Sequence, residues 1–122
     1  MASGDTGPEE EAGDSGQQRG ALISALNHPT RRRILRLMLE REQRLSATEI
    51  AAEFEMPLGD ASYHLVSLRD LRAVKPAGTR QVRGALQRFY KAAIEDDPPI
   101  EALLEQTREL DDAYAEKAKP KP

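Results

Sequence analysis

The sequence has no cysteine and no tryptophan, and aromatic residues make up only 4% of it. Without cysteine there is no disulfide, no thiolate nucleophile and no thiolate metal site. Histidine is scarce: His28 and His64 lie far apart, and no carboxylate cluster accompanies either. No phosphate-cradling loop, metal-ligand cluster or nucleophile–base pair at a meaningful spacing occurs, so the chain is not expected to be an enzyme or to carry a cofactor. No apolar run approaches the roughly 20 residues of a membrane span. The first residues are acidic and lack the basic-then-apolar pattern of a secretory signal. The expectation from these absences is one soluble cytoplasmic domain with no membrane partner.

What is present is charge, unevenly placed. The net charge of −3 over 122 residues hides an acidic start, a basic middle and an acidic end. Residues 1–20 carry −4, residues 21–92 carry +6 and residues 93–122 carry −5. Fields act locally and are screened within about 8–10 Å, so the basic middle matters more than the total. Residues 1–18 are rich in glycine, serine and acids and nearly free of apolar groups. They read as a disordered tail that cannot offset its own ordering entropy.

The basic middle centres on residues 45–71. Ser46 and Glu49 are spaced as a capping box, with Leu45 and Ile50 placed for a hydrophobic staple. Ile50, Ala51 and Phe54 then recur at helical spacing. Glu55-Met56-Pro57 breaks that helix and leads into a second, with Ala61, Leu65, Leu68 and Leu71 on its inner stripe. Two short helices joined by a tight turn match a helix-turn-helix, whose second helix enters a DNA major groove. The polar groups it offers are Ser62, Tyr63, Arg69 and Arg72.

Upstream, Leu22, Ile23 and Leu26 form a short apolar stripe that ends at Asn27-His28-Pro29. Pro29 suits the first turn of a helix over about 30–41, with Asn27 or His28 near its cap. Arg31, Arg32, Arg33 and Arg36 crowd its first half, where cations oppose the helix dipole. Acidic neighbours within the fold or a phosphate backbone outside it should compensate. Downstream, residues 73–91 read as a β-hairpin, with Gly78 and Gly84 bracketing a loop whose tip carries Arg80 and Arg83. Pro76 suits an edge strand. A basic hairpin directly after a helix-turn-helix is a wing, able to lie on phosphates or reach a minor groove.

Asp96-Asp97-Pro98-Pro99 starts a last helix. Ile100, Leu103, Leu104, Thr107, Leu110 and Tyr114 recur on one side over about four turns, opposite an acidic face. The stripe is expected to pair with the same helix and the 22–26 segment of a second chain. The division is therefore a tail at 1–18, a winged domain at 19–92, an amphipathic helix at 93–117 and a frayed end at 118–122. The fold class is mainly α with a small β-hairpin: a winged helix-turn-helix with an added C-terminal dimerisation helix.

The order helix, helix, helix, hairpin, helix resembles the ArsR-type winged helix-turn-helix regulators of bacteria and archaea. The resemblance is carried by Leu26-Asn27-His28-Pro29-Thr30-Arg31-Arg32-Arg33-Ile34-Leu35, by Ala61-Ser62-Tyr63-His64-Leu65, and by Gly78 to Tyr90. It covers about residues 21–92 and implies a dimeric transcriptional regulator whose terminal helices form the dimer contact. Metal-sensing members place cysteines near the start of the first helix of the helix-turn-helix, and this chain has a plain cap there. Leu58, Gly59 and Asp60 also depart from the small polar residues usual at the start of the reading helix. Leu58 offers only apolar contact, and Asp60 repels phosphate unless it accepts from a cytosine amino group.

The leading expectation is thus a homodimer that reads a palindromic site in double-stranded DNA with helix 58–71. DNA contacts are expected from Arg31, Arg33, Leu58, Asp60, Ser62, Tyr63, His64, Arg69, Arg72, Arg80, Arg83 and Arg88. The dimer contact is expected from Leu22, Ile23, Leu26, Ile100, Leu103, Leu104, Leu110 and Tyr114. A small-molecule effector bound at the dimer interface is compatible with this reading, but the sequence names no such ligand. The alternative is a winged-helix module that binds protein and not DNA, motivated by the acidic ends, Asp60 and the apolar last helix.

Overall fold

The computed structural model describes residues 20, 23–94 and 97–118. The expected tail at 1–18, Leu22 and residues 119–122 lie outside this set. After a helical stretch at 23–25 come α1 (Pro29–Arg41), β1 (Leu45–Ser46), α2 (Ala47–Phe54) and α3 (Leu58–Asp70). They are followed by β2 (Val74–Val82), β3 (Ala85–Ala92), α4 (Pro98–Gln106) and α5 (Arg108–Ala118).

Local signals explain most boundaries. His28 caps α1, its Nδ1 accepting from the Thr30 N–H at 3.1 Å, and Pro29 occupies the first turn. Ser46 and Glu49 form the full capping box of α2. Leu45 and Ile50 are both buried beside it, as a hydrophobic staple requires. Glu55, in the left-handed region at φ 53°, ends α2, and Pro57 precedes α3. Ile34, Leu35 and Met38 of α1 meet Ile50, Ala61, Leu65 and Leu68 in one core.

The sheet is antiparallel in the order β1-β3-β2, so β2 is an edge and Pro76 loses no interior ladder bond. The hairpin differs from the expected loop at 78–84. Its strands pair out to Val82 and Ala85, and the connection is only Arg83-Gly84, both with positive φ. That is the two-residue turn that matches strand twist. Gly78 lies inside β2 at a bulge: Ala77 and Gly78 together face Phe89. With φ 108° and the Arg44 guanidinium in the space a Cβ would take, position 78 admits only glycine without rearrangement. Arg80 therefore belongs to a strand, and Arg83 alone holds the tip.

The single last helix is also corrected: it breaks at Thr107 into α4 and α5. Ile100 and Leu104 are buried in the chain's own core, and Leu103 packs against it. Arg32 and Arg36 of α1 reach across to Asp111 of α5, which is fully buried. Arg32 donates to both carboxylate oxygens and to the Leu26 carbonyl; Arg36 donates to Asp111, the Leu104 carbonyl and Thr107. Burial alone would raise the Asp111 carboxyl, but the two guanidiniums outweigh it and hold it below the usual carboxylate range. This network binds both ends of the described chain to α1. No helix among the described residues is long and apolar enough to cross a membrane.

Candidate nucleic-acid interface

Helix α3 has three differently employed sides. Ala61, Leu65 and Leu68 face the core. Leu58, Ser62, Val66 and Arg69 face the hairpin, across a groove of about 300 Å³ whose other wall includes Leu86, Gln87 and Arg88. Asp60 and His64 face a different concavity, shared with His28, Arg33 and Tyr114. Tyr63 is exposed, edge-on to His64 with ring centroids 5.8 Å apart.

The hairpin is held to the helix pair at its base. Gln87 donates to the Ser46 Oγ at 2.7 Å, the same hydroxyl that caps α2. Arg44 lies over the Phe89 ring at 4.2 Å and donates to the Ala77 carbonyl at 2.9 Å. Arg80 approaches the same ring at 5.6 Å and donates to Gln87 at 3.3 Å. Over residues 69–91 the sequence holds Arg69, Arg72, Lys75, Arg80, Arg83, Arg88 and Lys91 against one acid, Asp70. Asp70 hydrogen-bonds Arg69 and favours its charged form. Arg72 takes the left-handed conformation just past α3, at φ 65°, and is exposed.

The structure sorts the expected contact residues. Leu58, Ser62, Arg69 and Arg88 line the groove; Arg80 and Arg83 extend along the hairpin. Arg31 and Arg33 do not line it. The Arg33 guanidinium packs over Phe54 at 4.2 Å, and the Arg31 Nε is buried without a hydrogen-bond partner among the described residues. His64 has its Nδ1 buried and likewise unpartnered, with its ring 5.0 Å from that of His28. Burial, then the neighbouring His28 and Arg31, push the His64 imidazole below its ordinary value, against a smaller pull from Asp60. Burial and Arg31 push His28 the same way. Among the described residues no cluster of His, Asp and Glu is suited to a metal ion.

Val66, Leu86 and Gln87 were not anticipated at this site. Val66 follows the Leu58–Ser62 spacing by one more turn, and the wing residues required the register. Of the apolar residues assigned to a dimer contact, Leu26, Ile100 and Leu104 are buried within their own chain. Ile23, Leu110 and Tyr114 are exposed, Leu110 to 67%.

Two helices joined by a tight turn beside a basic two-stranded ribbon make a winged helix-turn-helix. Comparison with known proteins agrees: a helix-turn-helix domain family model matches residues 26–76. Among solved structures, the antimony-specific transcriptional repressor AntR is 25% identical with a TM-score of 0.54, over 88% of this chain and 85% of that one. The ArsR family transcriptional regulator RHA00566 is 25% identical with a TM-score of 0.52, over 78% and 91%. The homodimeric winged helix-turn-helix DNA-binding domain of Mb0332 from Mycobacterium bovis is 21% identical with a TM-score of 0.54, over 86% and 88%. No curated protein matches the sequence. The chain thus carries a helix-turn-helix match and shares its winged helix-turn-helix fold with transcriptional regulators of the ArsR type.

Proposed function

We propose that this chain is a homodimeric transcriptional regulator that binds double-stranded DNA. The observation that carries the reading is the groove between α3 and the hairpin, with Arg69 on one wall and Arg88 on the other. Helix α3 enters the major groove, and Arg83 at the ribbon tip lies on the backbone or in the adjoining minor groove. Arg69, Arg72, Arg80, Arg83 and Arg88 supply phosphate contacts, which give affinity without sequence preference. Ser62 and Tyr63 supply polar groups to base edges.

The dimer contact is assigned to Ile23, Leu110 and Tyr114, the apolar residues of the terminal segments that stay exposed. The Mb0332 domain, of the same fold, is a homodimer. A two-fold pair of reading helices predicts a palindrome with half-sites about 10–10.5 base pairs apart, or a multiple of that.

Selection from a random duplex library, followed by affinity across a salt series, tests this. A recovered palindrome and a steep salt slope are expected, about −0.9 in log–log units for each phosphate neutralised. Failure to retain any duplex at low salt would leave the protein-binding winged module as the better account.

A further inference from the structure

The side of α3 that faces the hairpin is unusually apolar for a surface meant to meet DNA. Leu58, Ser62 and Val66 fall one helical turn apart on a single stripe, ending at Arg69. Leu58 is 54% exposed and Val66 39%, and Leu86 on the opposite wall is 52% exposed. Scattered surface apolar residues need no explanation, but three lining one groove with arginines around them do. The core does not use them, and the surrounding charge is of the sign that attracts a polyanion.

The base edges in a major groove present hydrogen-bonding groups with one apolar exception, the 5-methyl of thymine. The acid that could have read a cytosine amino group, Asp60, borders the His28–His64 side and not this groove. The stripe offers Ser62 and Arg69 as its polar groups and otherwise only hydrocarbon.

We infer that Leu58 and Val66 read thymine 5-methyl groups, so that the half-sites of this regulator carry thymines at the positions under the first three turns of α3. The inference rests on the DNA-binding reading above and adds the base that is recognised. Leu86 closes the groove from the wing side and keeps water from the same contacts.

The first comparison leaves the protein untouched. The duplex recovered by selection is compared with copies in which thymines are replaced one at a time by deoxyuridine. This removes the methyl and keeps the base pair. Burial of a methyl-sized group contributes about 0.8 kcal/mol, so each contacted thymine should weaken binding by roughly fourfold when replaced. Leu58→Ala, at an exposed position, should bind the thymine and uracil duplexes alike at the position it reads, and Val66→Ala likewise at its own. Arg83→Ala should weaken both duplexes while preserving their ratio. Selective duplex binding with no thymine–uracil difference at any position overturns the inference and leaves the DNA-binding reading standing. If no duplex is retained at all, both fall together.

Discussion

Two sets of arginines in this chain show how a fold assigns different work to one side chain. Arg32 and Arg36 are buried and converge on Asp111, with backbone carbonyls accepting their remaining hydrogens. Arg72, Arg83 and Arg88 lie on the surface of the helix-turn-helix and hairpin. No carboxylate pairs with them among the described residues. The difference is whether the fold supplies an anion. Where it does, the cation joins the outer segments of the described chain to its core. Where it does not, the charge stays available to an anion from outside. The four arginines of α1 had posed this choice, and the structure divides them: two on Asp111, one over an aromatic ring, one beside a histidine pair.

The largest effect should come from breaking the buried set. Asp111→Ala leaves two guanidiniums without their anion and should cost about 3–5 kcal/mol in urea unfolding. Arg83→Ala, in contrast, should stay within about 0.5 kcal/mol of the parent. Similar losses from both would erase the distinction.

At the joint between the two regions, Ser46→Ala removes the α2 cap and the acceptor for Gln87. About 1 kcal/mol is expected from the cap alone. On the exposed set, Arg83→Ala should reduce affinity for every duplex alike and flatten the log–log salt slope by about 0.9 if one phosphate contact is lost. A change of preferred sequence in that variant would contradict the assignment.

The smallest effect concerns pH. His28 and His64 both have folded-state values below the ordinary 6.5. The unfolded chain therefore binds their protons more tightly. Their contribution to stability is intact above about pH 6.5 and is lost as pH falls below it. Unfolding followed from about pH 7 to 5 should show this decline. His28→Asn, which keeps a cap acceptor and removes one titrating group, should make it shallower.

Much of the fold was legible because its signals are local. The Ser46–Glu49 box, the Pro29 and Pro57 helix starts and the hairpin with Pro76 on an edge all depend on residues a few positions apart. The partner of Arg32 is 79 positions away, and no short-range pattern marks Asp111 as internal while its neighbour Asp112 is exposed. The break at Thr107 was hidden for a similar reason. Its hydroxyl donates to the Leu103 carbonyl and accepts from Arg36, so a residue in register with the apolar stripe is turned to polar use. At the hairpin, Gly78 suggested a loop and marked a bulge, while the turn fell on Arg83, an ordinary residue in a left-handed conformation. At the site, spacing identified the side of α3 carrying Ser62, but only the register placed Leu86 and Gln87 opposite it.

The two-residue turn at the hairpin end has a metrical consequence. A ribbon that reverses on Arg83-Gly84 has no slack, so its reach is set by strand length alone. Lengthening each strand by two residues would carry the terminal guanidinium outward by about 7 Å, close to two steps along one DNA strand. Variants of graded ribbon length would thus serve as calipers for the proposed complex, measuring from the protein side how far its outermost phosphate lies from α3.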